Sequence, residues 1–174
     1  LHEEVGPAAT TVTAIAERAG VERLTVYRHL PDERAQIQAC SAHWSEDHPL
    51  PDDGLWAGIP DPVQRLRTAL EKIYEYFRRG GPMLRNVLRD EDEVPALGEI
   101  MGPFHGWLRE LAGQLSAGWG VEPGSQRVLR AFVGHALRFE TWQSLAEEGL
   151  QDREAAHLLT RMCRCLATEP WPPT

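Results

Sequence analysis

Few side chains in this sequence have the types and spacing that catalysis or metal binding requires. There is no phosphate-binding glycine loop, no Gly-x-Ser-x-Gly nucleophile motif and no His-Glu-x-x-His zinc motif. Cys163 and Cys165 would point about 200° apart on a helix, which excludes an ordinary zinc knuckle. His43 and Asp47, one helical turn apart and beside His48, could hold a metal ion, an interpretation that we do not favour. We therefore predict no catalytic residue, no metal site and no cofactor, and hence a protein that is not an enzyme.

Composition and charge restrict the class of protein further. Of the 174 residues 42% are hydrophobic and 25% are charged, as in an ordinary globular protein, and no stretch approaches the roughly 20 apolar residues of a membrane span. The start LHEEVGPAA lacks the basic and apolar segments of a signal peptide, and the three cysteines are too few for a disulfide scaffold, so we predict a cytoplasmic protein with no membrane partner. The net charge of −8 disfavours general binding to nucleic acid, so any DNA contact has to be local. Residues 11–40, with four Arg and four acidic residues, are the least acidic candidate.

Residues 11–30 have the pattern of a helix-turn-helix. Thr10 or Thr11 can cap a helix that ends at Gly20, and a second short helix follows over residues 23–30. Ala16 is small enough to let the two helices approach, Gly20 makes the turn, and apolar Val21 and Val26 hold the crossing angle. Pro31 ends the second helix, and Asp32 can cap a third over residues 33–45.

The rest of the chain also has helical periodicity, so we predict an all-α fold. A Pro- and Gly-rich loop over residues 48–62 separates a predicted helix-turn-helix domain, residues 1–46, from a helical domain, residues 47–174. The second domain is predicted to contain helices at 62–80, 82–90, 99–119, 125–148 and 152–167, the first two being separated by Gly80-Gly81. Because the first residue is Leu and LHEEVG reads like the end of a helix, we expect an N-terminal piece upstream of this numbering.

The finer sequence of the helix-turn-helix resembles a known family. Three segments closely resemble the DNA-binding domain of TetR-family transcriptional repressors, whose consensus sequence is TTV-x-x-IA-x-x-AGVS-x-x-TLY-x-HF. They are Thr10-Thr11-Val12, Ile15-Ala16-Glu17-Arg18-Ala19-Gly20-Val21 and Thr25-Val26-Tyr27-Arg28-His29-Leu30. The later segments MLRNVLRD, VPAL and GHALRFETWQSL, together with the last two helices, are similar to that family's effector domain.

The resemblance implies a set of DNA contacts. Side chains at the exposed start of the second helix would reach base edges in the major groove, and Tyr27 and His29 match a pair that positions phosphate. Two positions depart from the family pattern: Glu33 stands where a Lys is common, and Leu24 is bulkier than the usual Gly or Ala. These departures bear on affinity and on the operator sequence. The DNA-binding residues predicted in this way are Thr11, Thr13, Arg23, Leu24, Thr25, Tyr27, Arg28, His29 and Arg34.

The resemblance also implies a mostly apolar cavity for a small-molecule effector. Large side chains on the predicted helices of residues 62–148 are candidates to line it, although each could equally be a core residue. Two aromatic stripes, one on 99–119 and one on 125–148, are expected to face each other, with His135 as a polar anchor. The predicted effector-binding residues are Phe77, Met83, Val87, Phe104, Trp107, Leu111, Phe132, His135, Phe139 and Trp142.

A third predicted surface is a homodimer interface on the last two helices. If residues 125–148 formed a single helix, apolar side chains would cover most of its circumference. Packing against one core could not bury that much apolar surface. In the TetR family the last two helices resemble one half of a four-helix dimer bundle, which would suit a palindromic operator. The predicted interface residues are Leu129, Val133, Ala136, Leu137, Leu158, Leu159, Met162 and Leu166.

Together these expectations describe a ligand-responsive DNA-binding regulator. We predict a homodimer that binds double-stranded DNA as a repressor and is released by a small hydrophobic effector. The alternative is a helical small-molecule-binding protein or enzyme whose helix-turn-helix is only structural. Basic residues upstream of residue 1 would support the first interpretation, and acidic residues there would favour the second.

Overall fold

The computed structural model describes residues 1–168, and every regular element within them is an α-helix, as the sequence predicts. None of these helices is long and apolar enough to cross a membrane. The ten helices are α1 (His2–Val5), α2 (Val12–Ala19), α3 (Arg23–His29), α4 (Glu33–Asp47), α5 (Gly54–Ala57), α6 (Pro62–Asp90), α7 (Pro95–Leu115), α8 (Pro123–Ala136), α9 (Phe139–Glu147) and α10 (Asp152–Thr168).

The chain forms two compact units. Unit 1 contains residues 1–50 and 79–103, so it combines α1–α4 with the last turns of α6 and the first turns of α7. Unit 2 contains residues 51–78 and the chain from residue 104 onward. The packing therefore places residues 79–103 in the same unit as the helix-turn-helix, a grouping that a boundary at residue 46 does not include.

Local capping signals set the helix ends in unit 1. The Thr11 hydroxyl accepts a hydrogen bond from the Ala14 N–H at 3.2 Å, and the Asp32 carboxylate accepts one from the Ala35 N–H at 2.8 Å. Each bond satisfies a backbone donor that a first turn leaves free, which is why α2 and α4 begin just after these residues. The predicted starts and ends of α2, α3 and α4 agree with the structure to within two residues.

Helix α6 corrects the prediction of two helices separated at Gly80-Gly81. It runs without interruption from Pro62 to Asp90, through Pro82. A Cβ on Gly80 would lie 2.7 Å from a ring carbon of Trp44, closer than any side chain tolerates. The glycine therefore serves the close approach of α4 to α6 and does not end the helix.

The predicted helix 125–148 is wrong in the opposite sense, because it is two helices, α8 and α9, joined at Leu137 and Arg138. The last carbonyls of α8 have partners from elsewhere in unit 2: the Tyr74 hydroxyl donates to the Ala136 oxygen at 2.7 Å, and the Thr141 hydroxyl donates to the His135 oxygen at 2.7 Å. These side chains satisfy the groups that a helix end exposes, so the chain can turn here without Gly or Pro.

Helix α7 begins at Pro95, four residues earlier than predicted, and ends at Leu115. The Val94 and Leu97 side chains are buried in unit 1 with Ile37, which holds the first turn of α7 in place. Sequence periodicity from Ile100 onward therefore located the helix but not its start.

Candidate nucleic-acid interface

The turn between α2 and α3 has the geometry that the sequence pattern predicts. Gly20 adopts φ 66° and ψ 32°, in the left-handed region that a residue with a Cβ rarely enters. The Val21 N–H donates to the Ala16 oxygen at 3.0 Å, the 6→1 bond of a Schellman end. Ala16 is 3% and Val26 5% exposed, so the two helices meet through these small apolar side chains.

Helix α3 exposes the side chains expected to reach DNA. Leu24 is 66% and Tyr27 44% exposed, unusually high for such large apolar or aromatic side chains. Arg23, Arg28 and His29 are exposed as well, whereas Thr25 is half-buried. A seven-residue helix anchored mainly by Val26 thus presents most of its other side chains to solvent.

Two threonines near the start of α2 have different surroundings. Thr11 is the N-cap, and its hydroxyl oxygen accepts the Ala14 bond. Thr13, in the first turn, is exposed and remains available to a partner. Thr10 donates its hydroxyl hydrogen to the Gly6 oxygen at 2.7 Å and so belongs to the loop between α1 and α2.

Arg34, the last predicted DNA contact, already has a partner in the protein. Its Nη1 lies 2.6 Å from Oε2 of Glu99 at the start of α7, and both side chains are more than half exposed. Arg34 is the second residue of α4, directly after Glu33. An anion approaching Arg34 would therefore meet two carboxylates beside it.

The C-terminal turn of α6 caps the C-terminus of α1. Asn86 Nδ2 donates to the backbone oxygens of His2, at 2.9 Å, and Glu3, at 3.0 Å. Arg89 Nη2 donates to the oxygen of Val5 at 3.2 Å. The His2 oxygen also accepts the Gly6 N–H at 3.0 Å, whereas the carbonyls of the last turn need donors from outside the helix, and the Arg89 cation suits the negative end of a helix. Unit 1 therefore holds its first helix by hydrogen bonds to backbone.

A buried carboxylate completes this contact. Asp90 is 3% exposed and accepts hydrogen bonds from Arg89 Nε at 2.7 Å and from the Ala8 N–H at 3.0 Å. The bond from Arg89 lowers the pKa of Asp90. Gly6, at φ 93°, passes so close that an added Cβ would lie 2.2 Å from Arg89 and 2.4 Å from Asp90. We call Asn86, Arg89 and Asp90, with the backbone of residues 2–8, the α1 clamp.

The α1 clamp surrounds a histidine that the sequence does not single out. His2 is 8% exposed, and burial lowers the pKa of its imidazole below the ordinary value of 6.5. His2 also lines a cavity of about 280 Å³ in unit 1, together with Tyr27, Asp32 and Gln36. The imidazole is therefore held in its neutral form at neutral pH.

Four of the predicted effector-binding residues are core residues of unit 2. Phe77, Phe139 and Trp142 are 0–6% exposed, and their ring centroids lie 5.3–6.0 Å apart. Asp152 accepts hydrogen bonds from Trp142 Nε1 at 2.9 Å and from two nitrogens of Arg78 at 2.8 Å. The fourth residue, Leu111, is 2% exposed. These side chains are packed against one another or against the rest of unit 2.

Four others in unit 2 keep some accessible surface. Phe104, Trp107 and Phe132 are half-buried, and His135 is exposed. The rings of Phe104 and Trp107 lie 5.9 Å apart on α7, and those of Phe132 and His135 lie 6.4 Å apart on α8. The prediction of one stripe from Phe132 to Trp142 is wrong, because the helix ends at Ala136 and Trp142 lies on α9.

The last two predicted effector residues lie in unit 1. Met83 is 9% exposed, and Val87 packs against the buried cluster of Ile37, Val94 and Leu97. Val87 is therefore part of the apolar interior of unit 1, and a tryptophan there would overfill that cluster.

Most residues of the predicted dimer interface are buried within the single chain. Leu129, Val133, Ala136 and Leu137 are 0–1% exposed within the single chain, and Leu159 is 5% exposed. Such residues have no surface left to offer a second copy. Leu166 is half-buried, whereas Leu158 is 38% and Met162 44% exposed one turn apart on α10. The predicted interface is thereby reduced to the exposed stripe of α10.

The remaining candidates for chemistry are dispersed. Within residues 1–168 there is no group of three or more His, Cys, Asp or Glu side chains arranged to hold a metal ion. His43 Nδ1 lies 3.9 Å from Oε2 of Glu46, and both side chains are about 80% exposed. Cys163 is fully buried, which raises the pKa of its thiol to about 12.

Comparisons with known proteins agree with the geometry of α2 and α3. The family profile described as "Bacterial regulatory proteins, tetR family" matches residues 1–33. The similarity to this family therefore covers the segment that contains α1, α2 and α3. No curated protein matches the chain. A solved structure described as "Crystal structure of RolR (NCGL1110) without ligand" is 20% identical over 99% of this chain and 93% of that one, with a TM-score of 0.46.

The structure also shows several contacts that the helix-turn-helix motif alone does not reveal. The side chains of the α1 clamp lie within MLRNVLRD, where no local motif indicates such a contact. Its signal was the buried spacing of Asn86 and Asp90, two polar residues on the apolar face of α6. Glu99 gave no signal, because its partner Arg34 is 65 residues away in the sequence.

Proposed function

We propose that this chain is a TetR-family regulator: a homodimeric, DNA-binding repressor that a small hydrophobic effector releases from its operator. The observation that carries the proposal is the exposure of α3: Arg23, Leu24 and Tyr27 project from a helix that a glycine turn sets at an angle to α2. A short helix presented in this way fits the major groove, and Arg can form two hydrogen bonds to guanine.

The charge of the protein makes this binding depend on local contacts. The whole chain carries a net charge of −8, so a long basic surface does not draw it to DNA. Arg23 and Arg28 on α3 supply positive charge where the bases would lie. Specific contacts therefore have to contribute a large share of the affinity, and discrimination between operator and unrelated DNA is expected to be high.

Selection from random duplexes tests the proposal, followed by fluorescence anisotropy of the full chain on the selected sequence and on DNA flanking its own gene. We expect a near-palindromic site with half-sites about one helical turn apart, or a multiple of this. The matched variants are Arg23→Gln on α3 and Arg153→Gln on α10, which both remove one exposed Arg. Only the first is expected to weaken operator binding. Equal effects of the two, or no selected sequence, would contradict the proposal.

For the effector, the half-buried aromatic residues of unit 2 are better candidates than its core aromatics. Phe104, Trp107 and Phe132 can gain burial by contacting an apolar ligand, and exposed His135 can accept or donate a hydrogen bond to it. A ligand that prefers a conformation incompatible with the operator would release the protein by linkage.

A thermal-shift screen with hydrophobic and aromatic compounds tests this assignment, since a ligand that binds only the folded state raises the melting temperature. A hit should lose its effect in Trp107→Ala and keep it in Trp119→Phe, which changes a tryptophan in the same unit that hydrogen-bonds to the Leu115 oxygen. A hit that is unaffected by Phe104→Ala, Trp107→Ala and Phe132→Ala would place the effector elsewhere.

A further inference from the structure

The ion pair between Arg34 and Glu99 joins the first turn of α4 to the first turns of α7 within unit 1. Arg34 Nη1 lies 2.6 Å from Glu99 Oε2, and the two side chains are 64% and 59% exposed. Both groups are therefore free to rotate away and to meet a partner from solution. Gln38 and Ser41 on the next turns of α4 line the same open groove, of about 350 Å³.

The position of Arg34 on its helix explains why it attracts a carboxylate. The N-terminus of a helix carries a partial positive charge, so a cation in the first turn is unfavourable there. The neighbouring capping oxygen of Asp32 is already used by the Ala35 N–H. Glu99, on α7, is the carboxylate that pairs with Arg34, in addition to the acidic Asp32 and Glu33 at the start of α4.

We propose that Glu99 competes with a DNA phosphate for Arg34 and thereby lowers the affinity of the protein for DNA. The inference rests on the proposed DNA-binding function. A guanidinium binds carboxylate and phosphate through the same N–H donors, so a phosphate that approaches Arg34 must displace Glu99 or remain beside its negative charge. Either event subtracts from the gain of the phosphate contact.

The size of the effect follows from the exposure of the pair. Exposed ion pairs contribute roughly 0.2–1 kcal/mol, which corresponds to about a 1.4- to 5-fold change in a binding constant. Removing Glu99 is therefore expected to strengthen DNA binding about two- to fivefold for each head that contacts the duplex at low salt. The salt dependence should steepen, because a phosphate contact that no longer costs an internal pair releases about one more counterion per head.

The experiment is a double-mutant cycle on the full chain: unmodified, Glu99→Gln, Arg34→Gln and the double variant, titrated by anisotropy against the selected operator and an unrelated duplex at about 50 to 200 mM salt. Glu93→Gln is the matched control, since it removes an exposed acidic side chain from the same unit. Circular dichroism checks that each variant is folded. We expect Glu99→Gln to tighten binding on both duplexes, Glu93→Gln to change it less, and Glu99→Gln to have no effect once Arg34 is absent.

The outcomes separate the two proposals. If the unmodified chain binds the operator but Glu99→Gln leaves affinity and salt slope unchanged, or acts equally in the Arg34→Gln background, the competition is overturned and the DNA-binding function stands. If the Glu93 control matches Glu99→Gln, the effect is one of general charge and the competition is again overturned. If the unmodified chain binds no duplex at any salt concentration, both proposals fail.

Discussion

Units 1 and 2 are stabilised in different ways. Of the twelve largest side chains with less than 2% exposure among the described residues, eleven belong to unit 2 and only Leu97 belongs to unit 1. Unit 1 instead fixes α1 and the loop after it by hydrogen bonds: Asn86 and Arg89 donate to carbonyls of α1, and Asp90 accepts the Ala8 N–H. It also leaves Leu24 and Tyr27 exposed.

This contrast shows which of the predicted binding surfaces are accessible to a partner. In unit 2 the predicted interface residues Leu129, Val133 and Ala136 of α8 are buried in the chain's own core, so their hydrophobicity indicates burial and not an interface. In unit 1 polar contacts to backbone hold the small helices, so α3 does not have to bury its side chains to be stable. A helix is available to a partner only to the extent that its own fold leaves its side chains accessible.

The largest expected effect comes from a charge placed in the core of unit 2. Val133→Asp puts a carboxylate where the side chain is fully buried, and an uncompensated buried charge costs several kcal/mol, about 3–5. We expect the free energy of unfolding in urea to fall by at least this amount, or the protein to be unfolded. A folded Val133→Asp protein that is only monomeric would mean that this side chain faces a partner after all.

The second prediction concerns the α1 clamp. Asp90→Ala removes the acceptor of the Ala8 N–H and the partner of Arg89, and leaving a partly buried backbone donor unsatisfied costs about 1–3 kcal/mol. Urea denaturation should show this loss. Asp92→Ala, at an exposed position two residues further on, is the control and should change stability by less than about 0.5 kcal/mol. Equal losses in the two variants would show that the carboxylate contacts contribute nothing.

Acid should weaken the same clamp through two groups. The pKa of Asp90 is lowered by Arg89, so its stabilising contribution is complete above its ordinary pKa of 3.8 and is lost as the pH falls through the folded-state value. The pKa of His2 is lowered by burial, so stability is also lost as the pH falls below 6.5 and the unfolded chain takes up a proton first. Melting temperatures between about pH 7 and pH 3 should therefore fall with pH, and less steeply in His2→Gln between pH 6.5 and 5. An unchanged slope in that variant would exclude His2 from the effect.

A substitution in the exposed stripe of α10 should change the free energy of unfolding less but should strongly affect dimer formation. Met162→Asp replaces a side chain that is 44% exposed in the single chain, so unfolding should change by less than about 1 kcal/mol. If Leu158 and Met162 meet a second copy, sedimentation should show a shift from dimer to monomer. Arg161→Asp, on a neighbouring exposed position of α10, is the control. A monomeric unmodified protein at micromolar concentration would contradict the dimer.

The smallest effect on stability is expected on α3. Tyr27→Ala should change the free energy of unfolding by less than about 0.5 kcal/mol because Tyr27 is 44% exposed and lies outside the buried core, while it weakens operator binding about tenfold. Anisotropy and denaturation on the same sample measure both quantities. A large loss of stability with unchanged DNA affinity would assign Tyr27 to the packing of unit 1.

How much of the molecule could be predicted depends on the range of the signals. Thr11, Gly20 and Asp32 act on residues three or four positions away, and these local caps allowed the boundaries of α2, α3 and α4 to be predicted from sequence alone. The family resemblance predicted Arg23, Leu24 and Thr25 at the exposed start of α3; Arg23 and Leu24 are exposed, whereas Thr25 is half-buried. Their role in binding DNA stays a prediction.

Structural features that depend on residues far away in the sequence could not be predicted in this way. Gly80 looks like a helix end, but its missing Cβ makes room for Trp44, 36 residues earlier. The junction after α8, at Leu137 and Arg138, contains neither Gly nor Pro, and the hydroxyls of Tyr74 and Thr141 bind the last carbonyls of the helix. The α1 clamp likewise joins segments about 80 residues apart. Such contacts become visible only when the helices are placed in space.

If two copies of α3 bind a symmetric operator, affinity must depend on the spacing of the two half-sites. The full chain is titrated by anisotropy against the selected operator and against the same operator with about 5 bp, half a helical turn, inserted between its half-sites. The insertion rotates one half-site to the opposite face of the duplex but leaves the base sequence of both half-sites unchanged. We therefore expect at least a tenfold loss of affinity. Equal affinity for the two duplexes would contradict it.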